Sequence, residues 1–434
     1  MFGPFASQHQ KARRLASDWL ELAEKVHHYR RDVLSDSDKN AIQTTAGGVR
    51  TLLKDKADTA KLKLGVESLE AVLRRTGGQH YPKSTLVENV EFFLVAAIVI
   101  LGLRAFYIQP FKIPTNSMWP SYNGMTGQVY AQKADEPGPA GRLVNFIAQG
   151  ASARRLDAPE TGEVLLPLGV ADGRGVVSYS QVPGRSWLVF PDKLREYGVF
   201  VGNRIVTFKV PLDFDMDWVF RDTYFPGDKR SFGEIASEKL ARGELVEGTV
   251  NTAHGPERIR LLRTGRMVRA GERMLSFDIL TGDQLFVDRA SYHFVRPKTG
   301  DGFVFRTGNI PDLKTDQYYI KRLIGVPGDR IEVREPKILR NGEPITDVAA
   351  IRRNGDREGN YAGYFNGRPD TRYPKAMLFA GQEITVPPDG YLAMGDNSGN
   401  SLDGRYWGFV PSADIVGRPL MIYYPFTKRW GPAP

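Results

Sequence analysis

Cysteine is absent from the 434 residues. That excludes disulfide frameworks, thiolate metal sites and cysteine nucleophiles, and it leaves the compartment open. Histidine is almost as scarce. Of six, four (His9, His27, His28 and His80) fall in the first 80 residues, so a histidine triad or zinc centre further on would rest on His254 or His293. No Arg/Lys stripe with interleaved aromatics accompanies the net charge of +9, which removes the usual ground for nucleic-acid binding. Internal repeats and low-complexity tracts are also missing. No cofactor or metal is expected.

What is present describes a foldable chain of about three modules. Hydrophobic residues make up 41% and charged residues 25%, while 45 Gly and 28 Pro imply frequent turns and favour β-structure. The charge is uneven: residues 1–85 hold 15 Lys and Arg against 10 Asp and Glu. Such a basic arm beside the most apolar segment fits a membrane-facing role, with lipid as a partner. Two helical patterns run along it. Leu15, Trp19, Leu22, Val26, Tyr29 and Val33 form the first, and apolar residues from Val49 to Leu73 form the second, closed by Gly77-Gly78. A helical hairpin or short coiled coil is the expectation for this arm.

Phe92–Ile108 is a 17-residue run with the single charge Arg104, at the short end of the spanning range. A buried core helix or a signal-peptide core has the same look, but the long charged arm ahead of it argues against a cleaved signal. Arg104 near the exit can snorkel to the interface. Arg74, Arg75 and Lys83 before the run outnumber Lys112 after it, so the positive-inside rule places the arm in the cytoplasm and the remainder outside. Strand patterns follow at Val164–Leu168, Val176–Tyr179, Trp187–Phe190, Arg204–Val210, Leu285–Val287, Phe303–Arg306, Tyr318–Ile324, Arg330–Val333, Glu383–Val386 and Tyr391–Met394, with a loop at Ala134–Gly141.

Three blocks carry the chemistry. Pro114-Thr115-Asn116-Ser117-Met118-Trp119-Pro120 directly follows the apolar run. Tyr318-Tyr319-Ile320-Lys321-Arg322-Leu323-Ile324-Gly325 comes much later, and Gly395-Asp396-Asn397-Ser398-Gly399-Asn400-Ser401-Leu402-Asp403-Gly404-Arg405-Tyr406-Trp407-Gly408 stands near the end. In this order, after a membrane anchor, they resemble the nucleophile, general-base and Gly-Asp-Asn blocks of the bacterial type I signal peptidases. Gly300-Asp301-Gly302-Phe303-Val304-Phe305 matches a fourth. The resemblance covers the apolar helix, residues 110–125 and roughly 280–434.

To the one N-terminal transmembrane helix (86–109) and the helical arm (1–85) read from the patterns above, it adds a mainly β fold with an antiparallel catalytic sheet. It also implies a Ser/Lys endopeptidase that cleaves signal peptides from exported preproteins on the outer, periplasmic face of the cytoplasmic membrane. Substrates would bind as extended strands, with small residues at −1 and −3. A serine hydroxyl is a weak nucleophile that needs a base, and a desolvated lysine is the natural one where histidine is scarce. Ser117 is the candidate nucleophile and Lys321 the candidate base, on a strand of apolar neighbours. The Ser117 N–H is one candidate oxyanion donor, and by resemblance the Thr115 hydroxyl is the second. By resemblance Ser401 orients the lysine ammonium. Arg322 faces the other way by strand alternation and is expected to pair with an acid such as Asp403. Asp403 and Arg405 brace the loop, and Gly395 permits close backbone approach.

Three features depart from the family pattern. Ser398-Gly399 replaces Arg-Asp, Trp119 follows Met118, and Ser117 lies 204 residues before Lys321. The last implies a β-rich module at 126–274 inserted into a catalytic domain of residues 110–125 and 275–434. Two rival readings remain. A self-cleaving Ser/Lys regulator is disfavoured by the apolar span. A catalytically inactive membrane-anchored binding module would not need Ser117, Thr115, Lys321 and Ser401 together.

Overall fold

The computed structural model describes residues 7–82, 85–171, 174–186, 190–252, 255–313 and 315–434. Lys83, His254 and the strand expected at Trp187–Phe190, apart from its last residue, lie outside them. The chain divides into two compact units, Met1–Gly102 and Leu103–Pro434.

The first unit holds three mutually packed helices, α1 (Gln8–Arg30), α2 (Asp36–Lys54) and α3 (Thr59–Thr76). Each starts at a capping residue. The Ser7, Ser35 and Asp58 side chains accept from the backbone N–H three positions on, which satisfies one of the orphan donors of a first turn. The sequence pattern ran through from Val49 to Leu73, whereas the structure breaks it. Lys56 takes a left-handed φ of 51° and Asp58 caps a new helix, so a three-helix bundle replaces the expected hairpin. Its core is Ala16, Ala23, Val26, Ile42, Val49, Leu62, Leu69 and Leu73. Leu15, Tyr29 and Val33 stay exposed, because alanines hold the close-packed positions of α1.

Helix α4 (Thr85–Phe106) follows. Its segment Leu86–Phe106 has 21 residues of mean hydropathy 2.2, none buried, and is long and apolar enough to cross a membrane. It stops two residues short of the expected Ile108, which already belongs to a strand.

The second unit is built on an antiparallel sheet. In spatial order its strands are Ile108–Lys112, Gln284–Asp288, Ile415–Tyr424, Gly302–Arg306, Tyr318–Gly325, Gly390–Met394 and Val410–Pro411. Period-2 alternation sends Leu285 and Val287 into a core with Ile113, Met118 and Tyr122. A smaller four-stranded sheet from residues 330–385 closes a second core around Ile331, Ile338, Ile351 and Tyr364.

Between Met125 and Gly282 the chain makes an excursion. Thr126–Val129 pairs antiparallel with Arg273–Leu280, so Thr126 lies opposite Leu280 and the excursion leaves and returns at one place. Gly282 meets the turn so closely that an added Cβ would sit 1.9 Å from the Ile113 carbonyl oxygen. A seven-stranded antiparallel sheet and the helices Met216–Tyr224 and Phe232–Ala241 enclose a separate core of Val164, Leu166, Val199, Phe214, Phe220, Phe232 and Leu262. The helices were not expected. Nor was Pro139–Gln149, whose first residues fall in the loop expected at Ala134–Gly141; proline is tolerated at a first helical position because its missing N–H would be unpaired there anyway.

Candidate active site

Ser117 sits in a tight turn fixed from both sides. The buried Asn116 side chain donates to the Met125 carbonyl (3.0 Å) and accepts from Gly124 N (2.9 Å). Asn397 holds the same turn, its N–H donating to the Ser117 carbonyl (3.0 Å) and its amide to the Asn116 carbonyl (3.0 Å). Met118 is fully buried beneath it. The rim is open: Thr115 is exposed and Ser117 half-buried.

Lys321 comes from the strand Tyr318–Gly325, in register with Phe303, and reaches the turn with Nζ 2.5 Å from Ser117 Oγ. It is 4% exposed and makes no ion pair among the described residues. Burial in apolar surroundings penalises the ammonium and lowers its pKa to about 8, with Asp403 pulling it upward and Arg405 downward. A lysine near that value supplies free base close to neutrality, which an ordinary lysine does not.

Arg322 points to the opposite face, as alternation requires, but its partner is Asp396 rather than Asp403. Its guanidinium donates to the Asp396 carboxylate at 2.6 Å, to Gly300 O and to Ser121 Oγ, and both charged groups are almost wholly buried. Register decides this. Arg322 lies opposite Met394, and Asp396 follows just past that strand end. Asp403 instead takes Arg405 (2.8 Å) and accepts from Gly395 N (2.9 Å), while Arg405 also donates to the Phe365 and Ser398 carbonyls. Gly395 is a close-approach position, since an added Cβ would lie 2.5 Å from Ser117 O and 2.2 Å from Ser401 Oγ. The Ser401 hydroxyl is buried there and has no hydrogen-bond partner, so the expected bond to Lys321 is not formed. His293 is exposed, away from these contacts.

Four positioning residues escaped the sequence reading: Asn116, Ser121, Asp396 and Asn397. All stood inside the quoted or adjoining motif residues, but no spacing rule distinguishes a bracing amide from a surface one. Arg429 was missed as well. It pairs with the buried Asp283 (2.6 Å) and donates to Ser121 O (2.7 Å). From the excursion, Trp218 packs edge-on against Trp119, with ring centroids 5.9 Å apart.

A serine hydroxyl thus lies against a buried lysine on an antiparallel sheet, and comparison with known proteins gives the family. The family model described as signal peptidase, peptidase S26, matches residues 266–424, a stretch that includes Lys321 but not Ser117. Signal peptidase I of Leptolyngbya laminosa is 33% identical over 159 residues, 35% of this chain and 66% of that protein. Signal peptidase I P of Bacillus subtilis subsp. natto is 31% identical over 157 residues, 35% of this chain and 72% of that protein. A Staphylococcus aureus relative, 24% identical over 147 residues (34% of this chain and 72% of that protein), is named an inactive signal peptidase IA. The chain belongs to the signal peptidase I family. It spans just under two thirds of the length of the Leptolyngbya relative.

Proposed function

We propose that this chain is a membrane-anchored serine endopeptidase that removes signal peptides from exported preproteins with Ser117 as nucleophile and Lys321 as general base. The observation that carries this is the 2.5 Å approach of a buried, unpaired Lys321 Nζ to Ser117 Oγ. Neutral Lys321 takes the Ser117 proton as Oγ attacks the scissile carbonyl. The Ser117 N–H and the rim hydroxyl of Thr115 receive the developing oxyanion, each such donor contributing about 3–4 kcal/mol. The ammonium then gives its proton to the departing amine, and Lys321 activates the water that releases the acyl group. The Ser401 hydroxyl, unpartnered and beside Gly395 as the Ser117 carbonyl is, is the group we assign to orient that ammonium. Apolar α4 supports anchoring in the cytoplasmic membrane, and the Lys/Arg bias supports a cytoplasmic arm (1–85) with residues 110–434 on the outer face. On this reading residues 110–125 and 275–434 form the catalytic domain, 126–274 an inserted module, and the substrates carry small residues at −1 and −3.

Purified protein in detergent should shorten a preprotein at its signal junction, and Ser117→Ala should not. Equal cleavage by both would sink the dyad. Cleavage of the chain itself but never of added preprotein would favour a self-processing regulator.

A further inference from the structure

The helix Pro139–Gln149 inverts the usual amphipathic arrangement. Leu143, Val144, Phe146 and Ile147 share one side and are 59–61% exposed, whereas Asn145, Ala148 and Gln149, on the other side, are partly covered. An apolar stripe normally faces the core; here it faces out. The helix is nevertheless firmly held. Its last-turn carbonyls accept from Tyr424 Oη (3.3 Å to Phe146 O, 3.1 Å to Ile147 O), from Phe426 N (2.8 Å to Ala148 O) and from Thr281 N (3.0 Å to Gln149 O). Gly150 ends it in the left-handed conformation. The sheet thus supplies the acceptors' partners and leaves the apolar side unpartnered.

Charge decides what covers it. Residues 137–150 and the neighbouring 419–434 contain no Asp or Glu, and with Arg429 paired to Asp283 they leave Arg142 and Lys428 as the flanking cations. Phe426, bonded to the helix, is itself 62% exposed. An apolar face with cationic flanks and aromatic neighbours suits the boundary between acyl chains and anionic headgroups. A protein partner would more commonly be met by a polar rim of both signs. We infer that this helix lies flat in the membrane interface and gives the second unit a contact with the bilayer separate from α4. The inference rests on the membrane-anchored reading, and the helix lies outside the residues that match the family model.

The absence of cysteine makes the test direct, because Phe146→Cys introduces the sole thiol of the full chain. It would carry a nitroxide label in vesicles of phosphatidylcholine mixed with phosphatidylglycerol. Collision with oxygen should exceed collision with a water-soluble nickel chelate by several-fold, relative to a label at Arg258→Cys, a site whose side chain is 86% exposed. An Ile98→Cys label in α4 separates the two ideas. Lipid exposure at 98 with water exposure at 146 overturns the interfacial helix and spares the anchor, while water exposure at both overturns the anchor as well. Protection at 146 from both relaxants, or broadening between labels, assigns the face to protein, or to a second copy, and overturns the inference. In pure phosphatidylcholine the oxygen preference at 146 should fall if the cationic flank contributes.

Discussion

Lys321 and Arg322 are adjacent on one strand, both nearly inaccessible, and their two surroundings are built to opposite ends. Around Arg322, Asp396, Gly300 and Ser121 satisfy the guanidinium, so its charge is held permanently. Around Lys321 the structure offers a hydroxyl and hydrocarbon but no carboxylate in ion-pair range among the described residues, so its charge is costly and can be given up. Burial by itself therefore says little about what a cation does. The partners decide whether it braces or reacts. The residue types suit this division, since arginine does not release its proton in a protein and lysine does when desolvated.

The sharpest break in that contrast would be turnover by Lys321→Arg. We expect kcat/KM on a preprotein to fall by about ten-thousand-fold or more for Ser117→Ala, Lys321→Ala and Lys321→Arg alike, because residues of a catalytic unit fail together. Arg322 should fail differently. Arg322→Ala strands the buried Asp396 carboxylate and should cost about 3–5 kcal/mol in urea unfolding, whereas Arg322→Met with Asp396→Leu should recover most of it. If the double variant is no more stable than the single, the pair is not the brace described.

A Cβ at Gly395 would meet both the Ser117 carbonyl and Ser401, and Gly395→Ala should lower kcat by roughly a hundred-fold through displacement of the Ser117 turn. The pH profile gives a subtler test. Only neutral Lys321 accepts a proton, so kcat/KM should rise about tenfold per pH unit below a pKa near 8 and level off above it. A flat profile from pH 6 to 9 would remove the lysine from the chemistry. Smallest is Ser401→Ala: about a tenfold loss of kcat with stability kept or slightly raised, because a buried hydroxyl without a partner loses its water and gains no bond in the resting fold.

Much of this was legible in the residues. The strand at Tyr318–Gly325 was readable from its apolar and aromatic run, since local patterns encode local structure, whereas Ser117 and Lys321 were named through the resemblance of their blocks to a family's motifs, because the 204 residues between them obey no spacing rule. What depends on register was not legible. Choosing between Asp396 and Asp403 for Arg322 needs the knowledge that Arg322 lies opposite Met394, and sequence order does not contain it. The break at Lys56 and the helices at 216–224 and 232–241 were hidden for another reason: one left-handed residue between two amphipathic runs leaves no periodicity signal, and helices of nine and ten residues carry too few turns for one.

The pairing of Thr126 with Leu280 has a kinetic corollary. Bringing Ser117 to Lys321 closes a stretch of 204 residues, a slow event if the chain must search for it unaided. Once the excursion has zipped its own ends together, the same stretch shrinks to a short tether from Met125 to Gly282, and the remaining search resembles that of a small domain. Loop closure of this kind favours assembly of the excursion before the larger sheet. Even then the Ser117 turn stays unbraced until Asn397 arrives to bond the Ser117 and Asn116 carbonyls.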